Sequence, residues 1–261
     1  MNVKMIFKPK RVILAIILLI LFILVIILLY NIKKNTHTSS ILSKTLALKG
    51  IVISQENLDK LKGKKLVALT YDDGPNKKYT PELLDILKEE DSKATFFILG
   101  SNAEASPEIL QRIVAEGHQI GNHSYDHKQF VALSSDKIQF EINKTNNILK
   151  EITGVTPNMI RTPYGEVTDK IKTIVNMPII LWDIDTLDWQ TTSANKVYNS
   201  IMSKVQDGDI ILMHDTFPAC VQATKMTIEK LKSEGYVFVT VETLILAKQG
   251  KIENTVYRYA R

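Results

Sequence analysis

A single cysteine, Cys220, stands among 261 residues. A lone thiol excludes an internal disulfide framework and a structural zinc site built on cysteines. Glycine and proline are sparse at 11 and 8 residues and no segment repeats, which excludes collagen-like and low-complexity chains. At 45% hydrophobic content there is ample material for a packed core. An excess of one charge sign is missing too, once the chain is divided. The formal net charge is +5, but the first 34 residues carry 6 basic groups and no acidic one, while the rest carry 27 basic and 28 acidic, a net of −1. The bulk of the chain lacks the basic balance that a nucleic-acid partner requires, and none is expected.

One stretch lacks polarity altogether. Residues 12–30 contain no charge, no amide and no hydroxyl except that of Tyr30. About 20 helical residues cross the hydrocarbon core of a bilayer, so the run is long enough to span as a helix. Lys4, Lys8, Lys10 and Arg11 precede it, Lys33 and Lys34 follow, and the more basic flank stays cytoplasmic. The expectation is a single-pass membrane anchor, with the lipid bilayer as partner along residues 12–30 and an extracellular remainder. The alternatives are a cleaved signal peptide, whose apolar region is shorter at about 7–15 residues, and a buried core helix, which would keep some polar residue to orient it. The domain plan is a basic flank and anchor over 1–34, a stalk over 35–63, a main domain over 64–247 and a C-terminal tail over 248–261 with no assigned part.

Beyond residue 64, short apolar runs alternate with helix-length segments. Strands are expected at residues 66–70, 94–99, 119–122, 158–161, 178–183, 209–213 and 236–241, nearly all separated by helices. Such strands imply a parallel sheet covered by helices, either a closed barrel or an open sheet. The polar residues favour the barrel. Asp72 and Asp73 follow the first strand, His123 the third, Arg161 the fourth, Asp183 and Asp185 the fifth and His214 the sixth. Side chains from five strands on one rim fit a barrel better than an open sheet with one switch point. The expected fold class is therefore α/β, a distorted (β/α) barrel of seven or eight parallel strands preceded by one N-terminal transmembrane helix.

The rim residues carry chemistry. His123 and His127 are spaced i, i+4, so a helical turn would present both imidazoles to one ion. No HExxH glutamate lies between them, and a carboxylate is the usual hard complement to two histidines. Asp72 or Asp73 supplies it, and the other aspartate is then free to take a proton from water. His214, at a strand end, suits a general acid. Arg161 orients a carboxylate or pairs with one. Trp182 and Trp189 flank Asp183, Asp185 and Asp188, either as a sugar-binding face or, for Trp182, as core. Against these stand plainer readings: two surface histidines, aspartates that shape the Gly74-Pro75 turn, and a capping histidine. Cys220 has no evident base partner and is read as inert.

Five segments in order resemble the polysaccharide deacetylases of the NodB-homology type, carbohydrate esterase family 4. Thr70-Tyr71-Asp72-Asp73-Gly74-Pro75 resembles the family's TFDDGP element, with Tyr for Phe. His123-Ser124-Tyr125-Asp126-His127 resembles the second, Arg161-Thr162-Pro163-Tyr164-Gly165 the third, Asp185-Thr186-Leu187-Asp188-Trp189 the fourth and Leu212-Met213-His214-Asp215 the fifth. The resemblance implies a distorted barrel and the following roles. Asp73, His123 and His127 would bind a divalent metal, with Zn²⁺ expected first and Co²⁺ or Mn²⁺ as alternatives. Asp72 would be the general base, oriented by Arg161. His214 would be the general acid, supported by Asp188. The backbone N–H of Tyr164 would serve the oxyanion, and Trp189 and Leu212 would line the acetyl pocket.

Family members acting on N-acetylmuramic acid often carry Asn where Asp73 stands. The expected reaction is therefore metal-dependent hydrolysis of N-acetyl groups from N-acetylglucosamine of cell-wall peptidoglycan, releasing acetate. The peptidoglycan expectation leans on the anchored, extracellular placement above. The alternatives are deacetylation of poly-N-acetylglucosamine, chitin oligomers or peptidoglycan N-acetylmuramic acid, and a non-catalytic glycan-binding barrel.

Overall fold

The structure, a computed structural model, describes residues 53–261. Its strands are β1 (Lys65–Gly74), β2 (Ala94–Ile98), β3 (Gln119–Asn122), β4 (Ile179–Ile180), β5 (Ile184–Asp185), β6 (Ile210–His214), β7 (Tyr236–Phe238) and β8 (Val256–Tyr257). Its helices are α1 (Gln55–Leu61), α2 (Tyr79–Glu89), α3 (Gly100–Ala105), α4 (Pro107–Ala115), α5 (Ser135–Thr153), α6 (Asp169–Val175), α7 (Ala194–Met202), α8 (Pro218–Ser233) and α9 (Val241–Gln249).

Strand β1 is central. Residues 66–71 are all buried, and parallel strands covered on both faces read as continuous apolar runs for that reason. It pairs in parallel with β2 and β6, and its first residues also pair with β7. The sheet runs β5–β6–β1–β2–β3. Ile160 then bridges Asn122 on one side and Ile179 on the other, linking β3 to the parallel β4–β8 pair. On the far side, three residues join β4 to β5, and the Asp183 N–H donates to the Ile210 carbonyl at 3.0 Å. The parallel α/β architecture expected from the sequence is present and resembles a distorted barrel.

Side-chain alternation along β1 builds two cores. Val67, Leu69 and Tyr71 pack with α2, α4 and α8 through Leu84, Leu110 and Ile228. Leu66 and Ala68 belong to a second cluster with Phe97, Ile180, Ile210 and Leu244. On that second face the alternation continues as Thr70 and Asp72, so a polar pair tops an apolar stack. Register sets the rim: Asp72 lies level with His214, Ile98 with Asn122, and Asp185 with Leu212.

The segment 158–161 departs from its expected strand. It contributes only bridging at Ile160, because Pro157 and Pro163 flank it and neither can donate to a ladder. The C-terminal residues, unassigned from sequence, are built into the domain. Strand β8 pairs with β4, Tyr257 and Ala260 are buried, and the Ala260 N–H donates to the Gly208 carbonyl. Gly208 has φ +95°, and a Cβ there would collide with the Ala260 carbonyl, so this position requires glycine.

The expectation of a transmembrane helix is corrected. Among the described residues no helix is long and apolar enough to cross a membrane. The run at 12–30 lies outside the described residues. The fold class is reduced to the α/β domain alone. The lipid bilayer is withdrawn as a partner, as are the membrane anchor and the extracellular placement that depended on it.

Candidate active site

Asp72, Asp73, His123, His127, Asp185 and His214 line a cavity of about 430 Å³. One wall is made by the ends of β1 and β3. The ladder between β1 and β2 skips from Asp72 to Gly74, leaving Asp73 in a bulge with φ +71°. This is how adjacent aspartates reach one cavity: Asp72 keeps its strand direction and Asp73 is turned out of it. The Asn102 side chain donates to the Asp73 carbonyl at 2.7 Å and holds the turn. Behind it, a Cβ on Gly74 would sit 2.2 Å from an Asp215 carboxylate oxygen, so only glycine fits.

Asp73 Oδ1 lies 3.4 Å from His123 Nε2 and 3.6 Å from His127 Nε2. These are long for hydrogen bonds, and this buried oxygen has no hydrogen-bond partner. The ligand atoms of the three residues all fall within 4.8 Å of one another. Such spacings suit the edges of a coordination polyhedron with bonds of about 2.0–2.2 Å. His123 Nδ1 sits 2.7 Å from the Arg161 carbonyl, which can only accept, so the ring proton is on Nδ1 and Nε2 keeps its lone pair. An unsatisfied buried oxygen and an imidazole fixed in the ligating tautomer fit a divalent metal. Without a metal, burial opposes ionisation of Asp73, but His123, His127 and His214 in their protonated forms outweigh it and hold the carboxyl at about 2. The group is an anion ready to coordinate.

Asp72 is 3% exposed, and Arg161 is fully buried beside it. Arg161 Nη1 donates to Asp72 Oδ1 at 2.7 Å and to the Thr70 hydroxyl at 2.8 Å. Its Nε and Nη2 donate to the Ile180 and Leu181 carbonyls, each at 3.0 Å, and its guanidinium stacks 4.2 Å above Phe97. A buried cation is tolerable only when so fully paired. The other carboxylate oxygen, Oδ2, lies 3.7 Å from His123 Nε2.

The adjoining wall comes from β5, β6 and the turn between β5 and α7. Asp188 is fully buried, and both its oxygens are committed. Oδ2 accepts from the His214 N–H at 2.7 Å, and Oδ1 holds His214 Nδ1 at 2.8 Å. Burial depresses the imidazole's basicity, but Asp188 overrides it and raises His214 to about 9. With Nδ1 taken, Nε2 is the nitrogen that serves the cavity. The Phe217 ring meets the imidazole edge-on at 6.0 Å.

Tyr164 and Trp189 line the same cavity and are well exposed, and Leu212 lies at its floor. The Tyr164 ring contacts His127 at 4.6 Å. The expected site residues are thus brought together. Asp183 is not among them: its carboxylate pairs with Arg261 at 2.7 Å. The sequence assigns no role to Thr70 or Phe217. For Thr70 the signal was available, since it shares Asp72's face two residues earlier. Backbone strain was not legible at all. Asp73, Ser124, His127, Tyr164 and Leu187 have φ of +71°, +69°, +60°, +60° and +52°. Non-glycine residues there cost on the order of 1–3 kcal/mol each and cluster at functional sites.

Residues 59–177 match the family model described as polysaccharide deacetylase. The Bacillus cereus peptidoglycan-N-acetylglucosamine deacetylase is 42% identical over 185 residues, 68% of this chain and 67% of that protein. The Listeria monocytogenes peptidoglycan-N-acetylglucosamine deacetylase PgdA is 41% identical over 185 residues, 71% of this chain. The Bacillus subtilis peptidoglycan-N-acetylmuramic acid deacetylase PdaC is 39% identical over 187 residues, 72% of this chain. The match spans 40% of the length of each of the last two. The solved structure of peptidoglycan deacetylase PdaC superposes with a TM-score of 0.70 at 38% identity, covering 72% of this chain and 93% of that one.

Proposed function

The chain belongs to the polysaccharide deacetylase family, and from that premise we propose that it is a metal-dependent hydrolase that removes N-acetyl groups from peptidoglycan-type glycans and releases acetate. One observation carries the reading: an unpartnered buried carboxylate oxygen, Asp73 Oδ1, faces two histidines in a cavity that also holds His214, its Nδ1 tied to Asp188. Asp73, His123 and His127 would hold a divalent ion, Zn²⁺ first, with Co²⁺ or Mn²⁺ as substitutes. Such an ion supplies Lewis-acid polarisation of an acyl carbonyl and acidifies an attacking water.

The chain's own residues do the rest. Asp72, with one oxygen clamped by Arg161, takes the proton from water through the other. His214 Nε2 gives its proton to the departing sugar nitrogen. An amine is a poor leaving group until protonated, so a base and an acid lining one cavity match what the reaction needs. Asp188 keeps Nδ1 protonated and the ring in place. The Tyr164 N–H is assigned to the developing oxyanion and Trp189 with Leu212 to the acetyl methyl. Water and amide are consumed, and acetate and a free amine result.

The related proteins carry both N-acetylglucosamine and N-acetylmuramic acid in their names, so the proposal covers both sugars, with N-acetylglucosamine the first to assay. The test is acetate release from peptidoglycan by chelated and Zn²⁺-reloaded protein, with the deacetylated sugar assigned by mass spectrometry of the fragments. Poly-N-acetylglucosamine and chitin oligomers serve as competing substrates. No acetate from any of them after metal reloading overturns the reading.

A further inference from the structure

Between the two histidine ligands runs a turn that is awkward for its sequence. Ser124 and His127 both sit in the left-handed region, at φ +69° and +60°, and neither is glycine. Something must hold them there. Part of the support is local: the Asn122 side chain accepts from the Ser124 N–H at 2.7 Å, and the Ser124 hydroxyl accepts from the His127 N–H at 3.0 Å. More comes from the Gly100 and Ser101 N–H groups, which donate to the Ser124 and Tyr125 carbonyls at 3.0 and 2.9 Å, and from one side chain that no motif includes. Glu141 lies on α5, on the stripe that also buries Ile138, Ile142, Thr145 and Leu149. It is 2% exposed. Its Oε2 accepts from the Tyr125 N–H at 3.0 Å and the Asp126 N–H at 3.2 Å, and its Oε1 accepts from Lys128 Nζ at 3.2 Å.

A carboxylate on the buried stripe of a helix is costly unless its oxygens are satisfied. Helix packing alone is served better by leucine at this position. What Glu141 adds is a clamp on the amides of the two residues midway between His123 and His127, so it acts on both rings at once. With the clamp in place the two imidazole centroids are 5.0 Å apart and both Nε2 atoms face Asp73.

We propose that Glu141 is a positioning residue for the metal site: by accepting the Tyr125 and Asp126 amides, it fixes the turn that sets the spacing of His123 and His127. This rests on the reading of Asp73, His123 and His127 as metal ligands. The role belongs to reach and hydrogen bonding, not to charge. Glutamine keeps a carbonyl oxygen at the same reach. Aspartate keeps the charge but is one methylene short of both amides. Leucine keeps the apolar stripe and accepts nothing.

The test is Co²⁺ titration of the chelated full chain, read by affinity and by the visible absorption of the bound ion. The variants are Glu141→Gln, Glu141→Asp and Glu141→Leu, with Asp73→Asn as reference. Removing a group that orients metal ligands weakens binding by about 10- to 100-fold, so Glu141→Leu is expected in that range with a changed cobalt spectrum. Glu141→Gln is expected to stay within about threefold of wild type, with Glu141→Asp between the two. If Glu141→Leu does not fold, the order of Gln against Asp still decides. Wild-type affinity and spectrum in Glu141→Leu or Glu141→Asp overturns the proposal, and so does a Gln variant as weak as Leu, which would make charge the cause. If Asp73→Asn binds Co²⁺ as wild type does, it is the metal-site reading that fails instead.

Discussion

The two walls of the cavity are built from the same residue types and do different things with them. On the β1–β3 wall, Asp73 faces two histidines and has a buried oxygen with no hydrogen-bond partner. On the β5–β6 wall, Asp188 faces one histidine and has both oxygens bonded to it, at 2.7 and 2.8 Å. A carboxylate with a free lone pair coordinates, and one whose lone pairs are spent positions and charges its neighbour. The sequence spells both as Asp near His. What separates them is the backbone: a bulge turns Asp73 away from any donor, while the Asp188 turn delivers its carboxylate to the His214 amide and ring together.

The comparison breaks most sharply at Asp73. Asp73→Asn replaces the anionic ligand and is expected to lose bound metal, lowering acetate release by on the order of a thousandfold or more, since several kcal/mol of transition-state stabilisation go with it. Metal analysis beside an acetate assay checks this, and full activity without metal contradicts it. The other wall should respond differently. His214→Ala is expected to lower kcat by about 10²- to 10⁴-fold with metal content unchanged. Loss of metal in that variant would mean that the walls are not separate devices.

A subtler cut on the second wall is Asp188→Asn, which leaves the ring in place and removes its charge partner. Burial opposes protonation of His214, but Asp188, helped by the charges of Asp72 and Asp73, lifts it from an ordinary 6.5 to about 9. The group's folded value is raised, so its contribution to stability is full below the unfolded value and is lost as pH climbs through about 9. The size is on the order of 3 kcal/mol below about pH 6. In metal-free protein, denaturant midpoints should therefore decline between roughly pH 6.5 and 9 in wild type, and this decline should flatten in Asp188→Asn. The alkaline limb of kcat should move to lower pH in the variant, with about tenfold lost at pH 8.

Much of this was readable beforehand, for identifiable reasons. Parallel strands and rim residues announce themselves because β1 and β6 are buried on both faces and end in Asp and His. The motifs singled out Asp73, His123, His127 and His214, which the structure gathers at one cavity. Positions whose role lies in backbone shape stayed hidden. The left-handed Tyr164 and His127, the bulge at Asp73 and the short β5 and β8 have no pattern in an alternating apolar code. Glu141 stayed hidden because its partners are main-chain amides 15 and 16 residues away, which no side-chain motif records. The apolar run at 12–30 lies outside the described residues, and no membrane-crossing helix stands among those.

The smallest expected effect asks whether the first wall has parts of its own. Thr70 sits two residues before Asp72 on the same face of β1. Its hydroxyl donates to the Ile211 carbonyl at 2.6 Å and accepts from Arg161 at 2.8 Å. Thr70→Val keeps the shape and β propensity but leaves one buried guanidinium N–H without its acceptor and the Ile211 carbonyl without its side-chain donor. That costs about 1–3 kcal/mol of stability. Arg161 keeps its bonds to Ile180 and Leu181, so the guanidinium stays above Phe97 and Asp72 keeps its clamp. Metal affinity and the alkaline limb set by His214 should then stand within about twofold of wild type, while kcat falls only several-fold through a slightly loosened base. A large loss of metal in Thr70→Val would join Asp72 to the ligand set, because His123 Nε2 lies only 3.7 Å from Asp72 Oδ2 against 3.4 Å from Asp73 Oδ1. An unchanged metal site with a lowered kcat would keep Asp72 as base and Asp73 as ligand, dividing by function two neighbours that differ in sequence by nothing at all.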